Sequence, residues 1–197
     1  MRLALLASLL SVGLAVACSR REPLPVLGEV PAFELTGRGG ARVSRDDLLG
    51  KVWVADFVFT RCAGPCRMMT SHMADLQREI AELEGVRLVS VTVDPENDTP
   101  EVLERYAAAF GADPGRWLFL TGEKQAIYDL VRQGFMLAID DGALTPGGKP
   151  GPGIITHSTR FVLVDRQGRI RGFYHGEEAD VAQTILPDIQ ALLAEPS

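Results

Sequence analysis

The amino-acid sequence predicts an α/β fold in which helices flank a central mixed sheet. Residues 51–60 and 86–93 form two apolar runs that are almost continuous, as expected of central strands that are covered on both faces. Between them, residues 68–83 carry apolar side chains at helical spacing, and Gly85 ends that pattern. A buried strand, a helix and a second buried strand, in this order, favour a sheet with helical crossovers.

The remaining elements follow from turn residues and helix signals. Residues 33–36 and 41–43 flank a glycine-rich turn and predict an N-terminal β-hairpin extension. Thr99 followed by Pro100 is typical of a helix start, so we expect a helix to about residue 110. The other expected elements are a helical turn at 44–49, strands at 117–120, 160–165 and 169–174, helices at 123–132 and 179–193, and a long loop rich in glycine and proline at 134–153.

The N-terminal segment predicts export and a lipid anchor. A basic start precedes an apolar run that is too short for a membrane span of about 20 residues and fits a secretory signal. The run ends in Leu-Ala-Val-Ala-Cys18, which resembles a bacterial lipobox; an ordinary cleaved signal and an uncleaved anchor are the alternatives. We therefore expect a membrane-anchored protein that faces the bacterial periplasm or the cell exterior. The expected parts are a lipoprotein-type signal peptide at 1–17, a lipidated Cys18, a tether at 18–32 and one domain at 33–197.

Charge and cysteine content narrow the function. The chain has 20 basic and 26 acidic residues, a net charge of −6, and its longest basic cluster is Arg20-Arg21. Nucleic acid is therefore not an expected partner. Only three cysteines occur, and two of them lie beyond the signal segment. Two are too few for a disulfide scaffold in an exported protein, so we expect their role to be chemical.

Cys62 and Cys66 are the candidate reactive pair. They follow the first central strand with three intervening residues, which places them at the strand's carboxyl end, where ligands and substrates meet open sheets. A helix start at that point would lower a thiol pKa. Two thiols at this spacing can form a disulfide or bind a metal, and the spacing does not decide between the two. A dithiol in this place, with this order of elements, is a thioredoxin-like arrangement.

His157 is the third candidate, because it lies where the glycine-rich loop meets a strand and can present its imidazole. The alternative is a surface histidine or one that only makes hydrogen bonds. His72 is expected to be exposed and away from the thiols, and His175 is not expected to bind a ligand. Met69 and Met73 follow the apolar stripe of their helix, so we expect them to pack in the core rather than bind copper.

Three segments together resemble the SCO/SenC family, whose members handle copper during cytochrome c oxidase assembly. They are Gly50-Lys-Val-Trp-Val-Ala-Asp-Phe-Val-Phe-Thr-Arg-Cys62 with Cys66, Val91-Thr-Val-Asp-Pro-Glu-Asn-Asp-Thr-Pro100, and His157-Ser-Thr159. The resemblance implies a thioredoxin-like fold and copper, Cu(I) or Cu(II), bound by Cys62, Cys66 and His157. It also implies that Asp94 is an acidic residue near the site that orients a ligand or contacts a partner; a turn-forming aspartate before proline is the alternative.

Two functions of different classes follow. The first is a metallochaperone that receives copper from a donor protein and delivers it to the binuclear copper centre of an oxidase subunit. The second is a thiol–disulfide oxidoreductase that uses Cys62 and Cys66 to reduce the cysteines of that copper site. The first function needs His157, whereas the second needs only the dithiol. A thiol peroxidase of related fold is a third alternative, for which no additional motif argues.

Overall fold

A mixed sheet of eight strands forms the centre of the computed structural model, which describes residues 22–62, 64–140 and 156–196. For residues 140, 156 and 157 the description is confined to the backbone. The strands are β1 (Gly28–Glu29), β2 (Glu34–Gly37), β3 (Arg42–Ser44), β4 (Val52–Val58), β5 (Val86–Thr92), β6 (Trp117–Thr121), β7 (Ile139–Asp140), β8 (Thr156–His157), β9 (Arg160–Val164) and β10 (Arg169–His175). The helices are α1 (Pro65–Glu79), α2 (Pro100–Ala109), α3 (Lys124–Asp129) and α4 (Val181–Ala194), with a 3₁₀ turn at Asp46–Leu48 and a π-helical turn at Leu130–Gly134.

The strand order is β1-β10-β9-β4-β5-β6-β2-β3, and β7 and β8 form a separate pair. The three strands β4, β5 and β6 are parallel, and the other neighbouring strands in the sheet pair antiparallel. Because β4 and β5 run in register from Val52–Val86 to Val58–Thr92, they end side by side. The predicted N-terminal hairpin is β2–β3, which joins the sheet through β6.

Helices cover both faces of the sheet, and this explains the continuous apolar runs. Every residue of β4 is buried. Val52 and Val54 belong to the core that α1, α2 and α4 form on one face, while Trp53 and Phe57 belong to the core on the face of α3. The α/β, thioredoxin-like fold class that the sequence predicts is confirmed by this arrangement together with the solved structures described below.

The N-terminal part of the domain differs from the prediction. Residues 18–32 were expected to form a tether, yet Gly28–Glu29 pair with β10, and Val30 is fully buried. The buried Arg171 donates hydrogen bonds to the carbonyl oxygens of Leu24 (2.6 Å) and Pro25 (3.1 Å). The prolines of this segment resemble those of a linker in the sequence, but its backbone is bound to a sheet edge. The folded domain therefore includes residues well before Phe33.

Two helix starts show how well the local signals work. Thr99 caps α2 as predicted, and its side chain accepts a hydrogen bond from the backbone N–H of Val102. Helix α1 begins at Pro65, three residues before its predicted start, because Pro65 occupies the first helical position, where its missing N–H costs nothing. Cys66 is consequently inside the first turn of α1. Residues 1–17 and Cys18 lie outside the described residues, and so does most of the predicted loop at 134–153.

Among the described residues, no helix combines the length and the apolar character that a membrane span requires.

Candidate functional site

The two thiols lie between the end of β4 and the start of α1. Cys62 belongs to neither element, and its backbone N–H donates to the carbonyl oxygen of Phe59 (3.2 Å), which closes a turn. Gly64 and Pro65 then start the helix that contains Cys66. The side chain of Thr70 donates to the Cys66 carbonyl oxygen (2.8 Å). The sequence-predicted pair is thus at the carboxyl end of the first central strand.

The two cysteines differ in their exposure. Neither forms a disulfide; Cys62 is half-buried and Cys66 is fully buried. Burial raises the pKa of the Cys66 thiol, and the hydrogen bond between the Cys62 and Cys66 side chains raises it further. The loss of hydration is therefore the largest influence on the pKa of Cys66, whereas the sequence alone leaves open which of the two thiols the helix start favours. Cys62 is the accessible thiol, and Cys66 is the protected one.

A buried carboxyl group lies beneath this pair. Asp56, on β4, is fully buried and accepts a hydrogen bond from the Ser90 hydroxyl (2.5 Å), which in turn accepts one from Trp117 Nε1 (2.9 Å). Its other oxygen, Oδ2, has no hydrogen-bond partner among the described residues. Burial raises the pKa of Asp56 to about 7, and its charge contributes to the raised pKa of Cys66. Sequence reasoning missed this residue, although an aspartate inside an apolar strand was a visible signal.

Asp94 lies in the loop after β5 and is buried. It forms an ion pair with Arg61, the residue before Cys62, at 2.8 Å, and accepts a hydrogen bond from the Asn97 side chain (2.8 Å). The structure therefore brings this sequence-predicted acidic residue to the segment that carries the accessible thiol. A second carboxylate of the same loop, Asp98, contacts Thr60 and was not predicted.

His157 is described only through its backbone. It lies in β8, opposite Ile139 of β7. The next strand, β9, begins at Arg160 and runs antiparallel to β4, with Val162 opposite Ala55. The start of β9 therefore lies at the edge of the sheet where β4 ends, and this edge also carries the thiols. No group of three metal-ligating side chains occurs among the described residues, and that set does not include the imidazole of His157.

The remaining sequence candidates are two histidines, two methionines and Cys18. His72 is half-buried rather than exposed, and its Nδ1 lies 2.8 Å from the carbonyl oxygen of Gly176, so it links α1 to the chain after β10. Met69 and Met73 are fully buried in the core, as predicted. His175 is exposed at the end of β10. The lipidation candidate Cys18 lies outside the described residues.

Comparisons with known proteins agree on one family. A family model described as SCO1/SenC matches residues 25–194. The SCO1 protein homolog of Bacillus subtilis is 36% identical over 170 residues, which cover 85% of this chain and 84% of that protein. A Stutzerimonas stutzeri protein named "Putative copper-binding protein" is 28% identical over 169 residues, which cover 84% of this chain and 79% of that protein.

Two solved structures extend the similarity to the fold. A SCO1/SenC family lipoprotein from Bacillus anthracis superposes with a TM-score of 0.76 at 33% identity, covering 84% of this chain and 95% of that one. BsSco, described as a member of the Sco family of cytochrome c oxidase assembly proteins with a disulfide switch, gives a TM-score of 0.75 at 33% identity. That similarity covers 89% of this chain and all of BsSco.

Proposed function

Because this chain belongs to the SCO1/SenC family, we propose that it is a copper metallochaperone for the binuclear copper centre of a respiratory cytochrome c oxidase. Copper is its cargo, and Cys62, Cys66 and His157 are the proposed ligands. The observation that carries the proposal is a pair of neighbouring thiols that form no disulfide at the end of β4, at the sheet edge from which β9 and the segment of His157 start. Its proposed partners are a copper donor protein and the oxidase subunit that holds this centre.

The chemistry of these ligands supports copper. Two thiolates and one imidazole are soft to borderline donors, which suit Cu(I) and give Cu(II) a strongly absorbing thiolate site. The half-buried Cys62 is accessible to an incoming ligand of a partner, while Cys66 is shielded. Such a site favours transfer of copper by stepwise ligand exchange. The Stutzerimonas stutzeri relative, whose name refers to copper binding, supports the same proposal.

Thiol–disulfide exchange is the second candidate, and the exposure of the two cysteines favours a definite order of steps. The Cys62 thiolate attacks a disulfide of the target and releases one target thiolate, which leaves a mixed disulfide. Cys66 then loses its proton and attacks the Cys62 sulfur, releasing the second target thiolate. The target gains two electrons, and this chain ends with a Cys62–Cys66 disulfide. The disulfide switch described for BsSco supports this candidate.

Export and membrane anchoring through Cys18 complete the proposal. The support is the lipobox-like sequence before Cys18 and the description of the Bacillus anthracis relative as a lipoprotein. The charged Ser19-Arg-Arg-Glu22 that follows suits the water side of a membrane. Intact-mass analysis of the exported protein tests this part: acyl chains on Cys18 support it, and an unmodified protein with another N-terminus rejects it.

The change of His157 to alanine separates the two functions. The variant keeps both thiols, so thiol–disulfide exchange should persist. The proposed copper site would lose its only nitrogen ligand and keep two-coordinate binding of Cu(I), with Cu(II) binding affected most, because that ion prefers higher coordination and harder donors. We expect His157→Ala to lose the thiolate-to-Cu(II) absorption band in a copper titration and to fail to support oxidase assembly in cells.

His175→Ala is the matched control, because it removes an exposed histidine at the end of β10. It should behave like the wild-type chain in both assays. If His157→Ala binds Cu(II) normally and supports normal oxidase assembly, His157 is not a ligand. If His157→Ala binds no Cu(II) but oxidase assembly is normal, the reductase function becomes the better account.

A further inference from the structure

Cys66 is held in place by a helix, whereas Cys62 lies in the loop between β4 and α1. Cys66 lies in the first turn of α1, so the packing of that helix fixes it. Cys62 follows the last residue of β4 by four positions and precedes α1 by three, so neither ladder nor helix bonds hold it. Within the described residues, its backbone N–H contacts only the nearby carbonyl oxygen of Phe59. The segment must be held from outside.

A buried carboxylate provides that restraint. Asp98 is fully buried in the loop between β5 and α2. Its Oδ1 accepts a hydrogen bond from the Thr60 hydroxyl (2.5 Å), and its Oδ2 accepts one from the Thr60 backbone N–H (3.1 Å). One carboxylate therefore binds both polar hydrogens of the residue two positions before Cys62. Hydrogen bonds to a carboxylate are shorter and stronger than those between neutral groups.

The carboxylate is itself held in place by the sheet. Oδ2 of Asp98 also accepts a hydrogen bond from the hydroxyl of Thr92, the last residue of β5 (2.5 Å). The backbone N–H of Asp98 donates to the carbonyl oxygen of Asp94 (2.9 Å), which closes the loop into a tight turn. Thr92 pairs with Val58 in the parallel ladder of β4 and β5. Asp98 is therefore bound to the sheet at the point where these two strands end side by side.

We propose that Asp98 is a positioning residue for the reactive dithiol: through Thr60 it sets where the Cys62 sulfur lies relative to Cys66. The inference rests on the proposed function only for its copper readout. Asp98 touches neither thiol in any described contact, so it acts through Thr60. A dithiol site depends on the distance between its sulfurs, whether they share a metal or close a disulfide. The buried contact between Asp98 and Thr60 restrains the segment that carries Cys62.

Three variants test the contact from both sides. Asp98→Asn keeps the shape of the side chain but removes its charge and one acceptor oxygen. Thr60→Val removes only the hydroxyl, and Thr60→Ser restores it, so serine should rescue what valine loses. Asp165→Asn is the control, because it alters another buried aspartate, one that follows β9 at the edge of the sheet where β4 begins.

The first readout needs no metal. In glutathione buffers, a loosened Cys62 makes the Cys62–Cys66 disulfide harder to close, since more of the chain must be ordered to form it. We expect Asp98→Asn and Thr60→Val to lower the equilibrium constant for disulfide formation about tenfold, equivalent to about 30 mV. Thr60→Ser and Asp165→Asn should leave it unchanged. In the variant that combines Asp98→Asn with Thr60→Val, the equilibrium constant should fall no further than in Asp98→Asn alone, because both changes act on one contact.

The second readout is Cu(I) affinity, measured by competition with a chelator in the reduced protein. Residues that orient metal ligands typically cost 10–100-fold in affinity when changed, and we expect about tenfold for Asp98→Asn. Thermal unfolding of each variant, recorded in parallel, identifies any that fail to fold; Thr60→Val, which removes one hydroxyl, then carries the test.

Each outcome bears on one claim. Equal disulfide constants in wild type, Thr60→Val and Asp98→Asn overturn the positioning role, and so does an equally large shift in Asp165→Asn. Additive effects in the double variant also overturn it. If the wild-type chain binds no copper, the proposed function fails, while the glutathione measurement still decides the role of Asp98.

Discussion

Asp56 and Asp165 are both buried, yet the protein treats their charges in opposite ways. Asp165 follows β9 at the edge of the sheet where β4 begins, and its Oδ2 accepts hydrogen bonds from Arg169 and Arg171, each at 2.8 Å. Burial opposes its ionisation, but bonds from the Arg169 backbone N–H and from both guanidinium groups lower its pKa overall. Asp56, under the thiols, has one hydroxyl partner, and burial raises its pKa to about 7.

These two aspartates mark two different regions of the molecule. Asp165 lies in a network of ion pairs that stabilises the fold, whereas Asp56 lies next to the reactive thiols. Arg171 also donates hydrogen bonds to the carbonyl oxygen of Leu24 and to the carboxylate of Glu195, so charge there joins distant parts of the chain. No hydrogen bond from a cationic side chain reaches Asp56 among the described residues. A buried acid whose pKa is raised by desolvation next to a reactive group is typical of functional sites. A buried aspartate thus stabilises the fold at position 165, where arginines neutralise it, but lacks such partners at position 56, under the thiols.

Asp165→Ala should produce the largest effect on stability. It leaves the buried Arg171 with only part of its compensating charge, and breaking a buried ion pair from one side typically costs about 3 kcal/mol or more. We expect the free energy of unfolding in urea to fall by about 3 kcal/mol. Glu177→Ala, at an exposed position, is the control and should change it little. A loss below about 0.5 kcal/mol would mean that Glu195 compensates Arg171 alone.

Asp56→Asn should raise the free energy of unfolding at alkaline pH, whereas Asp165→Ala lowers it. The unfolded carboxyl releases its proton near pH 3.8 and the folded one near pH 7, so the folded state holds more protons between these values. The contribution of Asp56 to stability is therefore complete below that window and is lost as pH rises through 7. Three pKa units correspond to about 4 kcal/mol, and we expect about half of it as a gain for Asn at pH 8, because the buried amide is also incompletely bonded.

Urea unfolding of the reduced protein at pH 5 and pH 8 measures this effect. The wild-type chain should lose more stability between the two values than Asp56→Asn does. Parallel pH profiles for both chains would show that Asp56 ionises near its ordinary pKa despite its burial. Asp56 and Asp165 would then differ in their hydrogen-bond partners but not in their charge at neutral pH.

Much of this arrangement could be predicted from local sequence. The strands β4 and β5 are predictable because both faces are covered, which makes their apolar runs continuous. The cap at Thr99 is a contact between neighbours in sequence. The two cysteines after β4 could be identified as a candidate pair from their place in the sequence, and Asp94 was implied by the resemblance to the SCO/SenC family. The position of the His157 imidazole stays a prediction.

What could not be predicted depends on contacts between distant residues. The pairing of Gly28–Glu29 with β10 depends on a sheet edge formed about 140 residues later. The roles of Asp56 and Asp98 depend on Ser90 and Thr60, which lie 34 and 38 residues away along the chain. A segment rich in proline and polar residues has the same local sequence pattern whether it is a flexible linker or, as at Gly28–Glu29, a segment paired with a sheet edge. Only the tertiary fold distinguishes a buried carboxylate with a partner from one without.

Asp94 lies between the two extremes, and Arg61→Ala should give the smallest effect. Asp94 is buried like the others, but its cation, Arg61, has a side chain that is 64% exposed. Water and salt screen such a pair, so its loss should cost less than about 1 kcal/mol of unfolding free energy, and less still at about 1 M salt. Arg42→Ala, which breaks a pair exposed on both sides, is the control. A cost above about 2 kcal/mol would place Asp94 with Asp165, as a carboxylate that depends on its arginine for stability.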